Sequence, residues 1–321
     1  MSCVDAMTSP SWRALTRWGV AVGLSVCLTA TACADGGEKP GHGRAGGPGE
    51  QVAAVQVPPD AVREAADAQA RAARQDAQRE EAARLETARV AAAQQWGLSA
   101  VPLKAPAPPE TKPVLDPAAP GVSRRGDMPP VVERVPTQDK VVFLTVDDGG
   151  YKDAEFARMT RELQLPFSAF VSGYVARSNW NYFRGLHEQG VEVNNHTLNH
   201  PDLRKLSYSQ QRWEICREQA ELDYEMGNGA RLFRPPYGEF NDDTLRAAKA
   251  CGIVALPIWN EEAFPDRIEY RNERRLRAGD IILTHFRSRS EWKGSMADML
   301  RRVVELATAQ GFALARLDDY M

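Results

Sequence analysis

Between residues 140 and 321, short apolar runs alternate with amphipathic stretches. Runs rich in Val, Ile and Phe, bounded by turn residues, read as buried strands, whereas apolar positions three and four apart read as helices. The pattern predicts strands over 141–146, 167–172, 191–195, 231–234, 254–259, 280–284 and 312–317. It predicts helices over 152–163, 178–188, 207–226, 241–250 and 295–310, with an irregular or partly helical stretch at 262–277. Strands alternating with helices argue for an α/β fold with a parallel sheet, and about seven such units suggest a barrel.

Upstream the alternation disappears. Residues 60–95 are rich in Ala, Arg, Glu and Gln, with Asp67–Arg71 and Glu80–Arg84 at helix-supporting spacing. Large apolar residues there are few (Val62, Leu85, Val90), so no heptad seam forms. An isolated or weakly associating helical spacer about 50 Å long is expected. Residues 96–137 carry ten prolines from Pro102 to Pro136, the composition of a semi-rigid linker, and the working domain is expected over 138–321.

Residues 1–32 have the character of an export signal. Arg13 and Arg17 precede an apolar stretch from Trp18 to Leu28, and Ala30-Thr31-Ala32 lead to Cys33. The apolar stretch is short for a membrane span. Small residues directly before a cysteine resemble a bacterial lipoprotein processing site, which makes Cys33 the candidate lipid anchor. Ala30 stands where leucine is more usual, and ordinary cleavage after Ala32 is the alternative. Residues 33–59 read as a flexible Gly-rich tether. Their Gly41-x-Gly43-x-x-Gly46 match has no strand before it and no helix after it, so it is not a dinucleotide fingerprint. Cys216 falls on one predicted helix and Cys251 at the end of another. An oxidising compartment would permit a bridge, and two buried free thiols fit the sequence equally well.

Chemistry enters at the strand ends. The run Val141–Val146 stops abruptly on Asp147 and Asp148, and burying either charge unpaired costs several kcal/mol. Two carboxylates at one strand tip suggest a cation site in which one binds and the other serves as a base. His196 and His200 are four apart, the spacing of two imidazoles on one side of a helical turn. Two histidines and one carboxylate leave coordination positions open for catalysis. Asp147, Asp148, His196, Arg234, Trp259 and His285 all lie at or just beyond the C-terminal ends of predicted strands, the face where barrel active sites are built. With a net charge of −3 there is no basic field to suggest nucleic acid.

These residues also resemble a known family. The chain from about 140 to 321 is similar to the polysaccharide deacetylases, NodB-homology carbohydrate esterases with a deformed (β/α) barrel. Thr145-Val146-Asp147-Asp148-Gly149 resembles their first motif and His196-Thr197-x-x-His200 their second. Arg234-Pro235-Pro236-Tyr237-Gly238 resembles the third, and Leu283-Thr284-His285 the fifth. The resemblance implies that Asp148, His196 and His200 bind a divalent metal, Zn2+ first among candidates. It implies that Asp147 is the general base, held by Arg234, and that His285 is the general acid. The backbone N–H of Tyr237 would stabilise the oxyanion. Trp259 would wall the sugar site by stacking, or pack in the core as aromatics at strand ends also do. At the fourth motif the sequence departs from the family pattern: Pro257-Ile258-Trp259-Asn260-Glu261-Glu262 offers Glu261, Glu262 or, farther on, Asp266 as the acid that tunes His285.

The expectation is an exported, lipid-anchored or secreted hydrolase that deacetylates an N-acetylated glycan. Peptidoglycan comes first on location, then an exopolysaccharide or a chitin-like oligomer. An O-acetyl esterase and a glycan-binding barrel with little catalysis are the rivals. The partners expected are the acetylated polysaccharide and a membrane reached through the lipid anchor, with oligomeric state left open. A serine hydrolase has little support, since no Gly-x-Ser-x-Gly elbow occurs.

Overall fold

Helix α1 (Pro59–Gln95) opens the computed structural model, which describes residues 59–227, 229 and 231–321. The proposed signal, the tether and Cys33 lie outside the described residues. Most of α1 is exposed, but its last turns dock. Ala92, Ala93 and Trp96 are buried in the core, and Trp96 Nε1 donates to Glu162 at 2.8 Å. The Arg158 guanidinium stacks on the Trp96 ring at 4.7 Å. The helix is therefore tethered to the fold by its C-terminal end. Among the described residues, no helix is long and apolar enough to cross a membrane.

The Pro-rich segment contributes structure where a linker was expected. Strands β1 (Val122–Ser123) and β2 (Val131–Val132) pair antiparallel, and β2 pairs in parallel with β6 (Leu256–Pro257). Val122, Val131, Val132 and Val135 are all buried. Gly279, in the left-handed region at φ +84°, lies so close to the Val135 carbonyl that a Cβ could not be accommodated. The boundary expected at residue 138 thus cuts through packed structure.

The main sheet has seven strands. β3 (Val141–Asp148) is central, flanked by β4 (Ser168–Val171) and β9 (Ile281–His285), with β5 (Glu192–Asn195) beyond β4. β7 (Glu261–Ala263) follows β9 in parallel, β8 (Ile268–Tyr270) is antiparallel to β7, and β10 (Ala313–Leu314) pairs with β3. Single bridges at Asn195–Phe233 and Leu232–Ala255 continue the path from β5. Among the described residues, no closed barrel of continuous strands forms. The run expected at 231–234 supplies only these bridges, because its polar end turns into the site. The irregular stretch at 262–277 holds most of β7 and all of β8.

Alternation along β3 divides the core. Val142, Leu144 and Val146 pack with α2 (Ala154–Glu162), α4 (Trp180–His187) and α7 (Met296–Ala309). Val141 and Phe143 face the other way, among Phe170, Ile281, Leu283 and Phe233. Thr145 and Asp147 continue that second face, so the sheet's curl carries Asp147 inward. Helix α3 (Gly173–Ala176) follows β4 directly. Helices α5 (Tyr208–Met226) and α6 (Asp242–Ala250) are started by reciprocal capping at Ser207 and Asn241. They are tied by the Cys216–Cys251 disulfide, whose Cα atoms are 4.9 Å apart. The bridged alternative for the two cysteines is the one the fold adopts.

Burial of a valine stabilises by roughly 1.5–3 kcal/mol. A chain beginning at residue 138 should accordingly unfold at least ~4 kcal/mol more easily than one beginning at 97, read by urea denaturation. Equal stability would return residues 122–137 to the status of a linker.

Candidate active site

The C-terminal end of β3 presents two carboxylates in different surroundings. Asp147 keeps extended geometry and is buried; Asp148 adopts φ +76°, a conformation costly for a residue with a Cβ. That turn swings Asp148 toward the side Asp147 already faces. Gly149 follows at φ +85°, where a Cβ would press on the Phe183 ring at 2.9 Å. Five non-glycine residues have positive φ among those described: Asp148, Thr197, His200 and Tyr237 in the site, and Gln164 outside it. Such concentration of strain is typical of functional loops over-determined by their surroundings.

The histidine pair is held by a loop and not by the helical turn its spacing suggested. Thr197 (φ +71°) and His200 (φ +55°) bend the chain twice, bringing the two ring centroids to 4.9 Å. Helix α5 latches this loop. Asn199 donates through its N–H and its Nδ2 to Glu214, both at 2.9 Å, and Leu198 N–H donates to the Glu214 carbonyl at 3.2 Å. His196 Nδ1 donates to the Arg234 carbonyl at 2.6 Å, which leaves Nε2 with the lone pair. Burial, with His200 nearby, pushes His196 down to about 3, so the ring is neutral near pH 7.

Asp148, His196 and His200 each offer one donor atom, all within 4.8 Å of one another. Asp148 Oδ1 stands 3.3 Å from His200 Nε2 and 3.7 Å from His196 Nε2. A neutral imidazole with a fixed tautomer, a second imidazole and a carboxylate suit a divalent cation such as Zn2+. The residues present fit such an ion.

Beside them Asp147 meets Arg234, which is fully buried. Arg234 Nη1 donates to Asp147 Oδ1 at 2.7 Å and to Thr145 Oγ1 at 2.8 Å. Its Nε donates to the Pro257 carbonyl at 2.9 Å, and Phe170 packs on the guanidinium at 4.4 Å. Burial pushes the Asp147 carboxyl up, while Arg234 opposes the shift. Strand register sets Asp147 opposite His285 on β9. His285 Nδ1 lies 3.6 Å from Glu262 Oε1.

Comparison with known proteins now decides the family. The polysaccharide deacetylase family model matches residues 134–256. An uncharacterized protein of Streptomyces coelicolor is 38% identical over 196 residues, covering 60% of this chain and 78% of that protein. The chain belongs to the polysaccharide deacetylase family. The deacetylases of this family are hydrolases acting on C–N bonds. A bifunctional xylanase/xylan deacetylase of Cellvibrio japonicus is 29% identical over 188 residues, 55% of this chain and 27% of its own length. A peptidoglycan N-acetylglucosamine deacetylase of Bacillus cereus is 28% identical over 167 residues, 48% of this chain and 76% of that protein. Among solved structures, a peptidoglycan N-acetylglucosamine deacetylase bound to a naphthalenyl N-hydroxybenzamide shares the fold. Its TM-score is 0.54 at 21% identity, covering 60% of this chain and 92% of the other.

Within this family member the structure separates the three fourth-motif candidates. Glu262 faces His285. Glu261 points away into a buried carboxylate pair with Asp280, where burial and the like charge push it up to about 9. Asp266 is taken by the exposed Arg267. Period-two alternation along β7 is the signal that could have chosen Glu262. Trp259, expected to wall the sugar site, is buried at 9% exposure, with Gly238 against its ring and Arg271 stacked at 4.2 Å. It packs the site from beneath. Tyr237 is 61% exposed, its ring 4.8 Å from that of His200. Sequence reasoning passed over Arg287, whose Nη2 donates to Asp148 Oδ2 at 2.7 Å.

Removing Arg234 leaves Asp147 buried without its partner. Arg234→Ala should cost about 3–5 kcal/mol by denaturant titration. A second expectation concerns Glu218 of α5, buried against Gly173, where burial and Glu221 push it up to about 9. The folded state keeps this proton after the unfolded chain has lost it near pH 4.5, so stability declines as pH rises from there toward 9. Glu218→Gln should remove a slope of up to about 1.4 kcal/mol per pH unit and raise the melting temperature at pH 8. An unchanged pH–stability curve would contradict this.

Proposed function

We propose that this chain is an exported, metal-dependent deacetylase of an N-acetylated glycan, with peptidoglycan N-acetylglucosamine the leading substrate. The observation that carries the reading is the juxtaposition of a candidate cation triad with two proton-handling groups. Asp148, His196 and His200 surround one point, with Asp147 beside them on β3 and His285 opposite Asp147 on β9. A divalent cation, when bound there, lowers the pKa of water and polarises the acetyl carbonyl.

In this proposal the chain's own groups move the protons. Asp147 takes a proton as water adds to the acetyl carbonyl carbon, and Arg234 keeps the carboxylate oriented. The Tyr237 N–H donates to the developing oxyanion. His285 gives a proton to the sugar nitrogen as the C–N bond breaks, releasing acetate and a free amine. Glu262 stabilises His285 while the ring carries that proton. An amine departs poorly unless protonated, so an acid opposite the base supports amide cleavage over ester cleavage. The Cellvibrio relative, a xylan deacetylase by name, supports O-deacetylation as a second reading.

Export, with Cys33 as lipid anchor, belongs to the same proposal. The Cys216–Cys251 bridge supports it, because disulfides persist in oxidising compartments.

Acetate release from peptidoglycan, chitin oligomers and acetylated xylan, with added Zn2+, tests the proposal. The wild type should exceed Asp147→Asn by about 10²–10⁴-fold, and His285→Ala should lose more on amides than on esters. Wild-type release no greater than that of Asp147→Asn on every substrate would remove its basis.

A further inference from the structure

Arg287 follows His285 by two residues and sits in a built frame. Phe286 N–H donates to the Asp147 carbonyl at 3.0 Å, and the Phe286 carbonyl accepts from Tyr151 N–H at 3.1 Å. The Phe286 ring is buried against Phe183 and Phe156, at centroid distances of 5.7 and 6.1 Å. The backbone is thereby fixed where Arg287 begins. Its guanidinium is held at both ends. Nη2 donates to Asp148 Oδ2 at 2.7 Å, and Nη1 donates to Glu291 Oε1 at 3.1 Å. Glu291 Oε2 accepts in turn from Ser288 N–H at 2.9 Å and Ser288 Oγ at 2.7 Å.

The two oxygens of Asp148 therefore have divided partners. Oδ2 belongs to Arg287, while Oδ1 alone faces the two histidine Nε2 atoms. We infer that Arg287 is a positioning residue for the candidate metal ligand: it holds Asp148 so that a cation shared with His196 and His200 meets one carboxylate oxygen. The inference rests on the metal-site reading above.

The alternative has the opposite sign. A guanidinium next to a divalent cation is repulsive, so an Arg287 that merely fills the space would compete with the ion. Outer partners of ligating carboxylates typically contribute 10–100-fold to metal affinity. A planar guanidinium orients a carboxylate in a way the ammonium of lysine does not.

The test uses the full chain, with Zn2+ affinity measured by competition against a chromogenic chelator and the absorption spectrum of the Co2+-loaded protein as second readout. Arg287→Ala should weaken Zn2+ binding by about 10–100-fold and alter the Co2+ spectrum, since the freed carboxylate can offer both oxygens. Arg287→Lys should recover only part of the affinity, and Glu291→Gln should show a smaller loss of the same sign. Glu291→Gln also carries the test if Arg287→Ala fails to fold, because it weakens the guanidinium's second anchor without removing the guanidinium. Zn2+ affinity that is unchanged or tighter, with an unaltered Co2+ spectrum, overturns the inference and leaves the metal site standing. A wild-type chain that binds neither cation overturns both.

Discussion

Arg234 is the residue on which the site's construction depends. Its guanidinium joins two strands: it reaches Asp147 and Thr145 on β3 and the carbonyls of Pro257 on β6 and of Ile258 just after it. Its backbone is used as well. The carbonyl fixes the His196 tautomer, and the N–H donates to the Asn195 carbonyl at the end of β5. One buried cation thus orients the candidate base and a candidate metal ligand together. A charge taken out of water is tolerable only when its hydrogen-bonding capacity is met, and here it is met by the site itself. Isolated bridges continue the sheet's path on either side of the Arg234 segment, and the guanidinium adds side-chain bonds to the carbonyls of Pro257 and Ile258.

Around that fixed point the chain accepts local strain. Asp148, Thr197, His200 and Tyr237 all occupy the left-handed region, and each contributes a side chain to the site or abuts one that does. Regular strand and loop geometry would send neighbouring side chains to opposite faces. A positive φ reverses that and brings sequence neighbours to one side. Packing holds the strained residues in place: Glu214 latches the histidine loop, and the Phe183–Phe286 cluster supports Gly149 and the chain after His285.

The region outside the motifs is more integrated than its composition suggests. Prolines and scattered valines at 102–137 read as linker, yet the valines complete the core beneath β6 and β9. The Ala-rich helix, with little apolar surface of its own, is anchored by Trp96 and the two alanines before it. In both cases a few apolar side chains in a polar or Pro-rich setting find partners far away in sequence, which no local pattern displays.

What the sequence alone determined follows from its periodicities and from residue chemistry. Six of the strand positions and five of the six described α-helices that follow α1, all but the short α3, were legible because apolar spacing reports which face is buried. Asp147, Asp148, His196, His200, Arg234 and His285 stood out because charged or ligating groups at strand ends have no packing reason to be there. Tertiary structure decided the rest. Register between β3, β7 and β9 selected Glu262 over Glu261 and Asp266 as the neighbour of His285. Packing of Gly238 and Arg271 against Trp259 decided that this ring is buried. The Asp148–Arg287 contact joins residues 139 apart in sequence. Distances of that kind arise from how the sheet curls and from how loops are latched, and both are properties of the assembled chain.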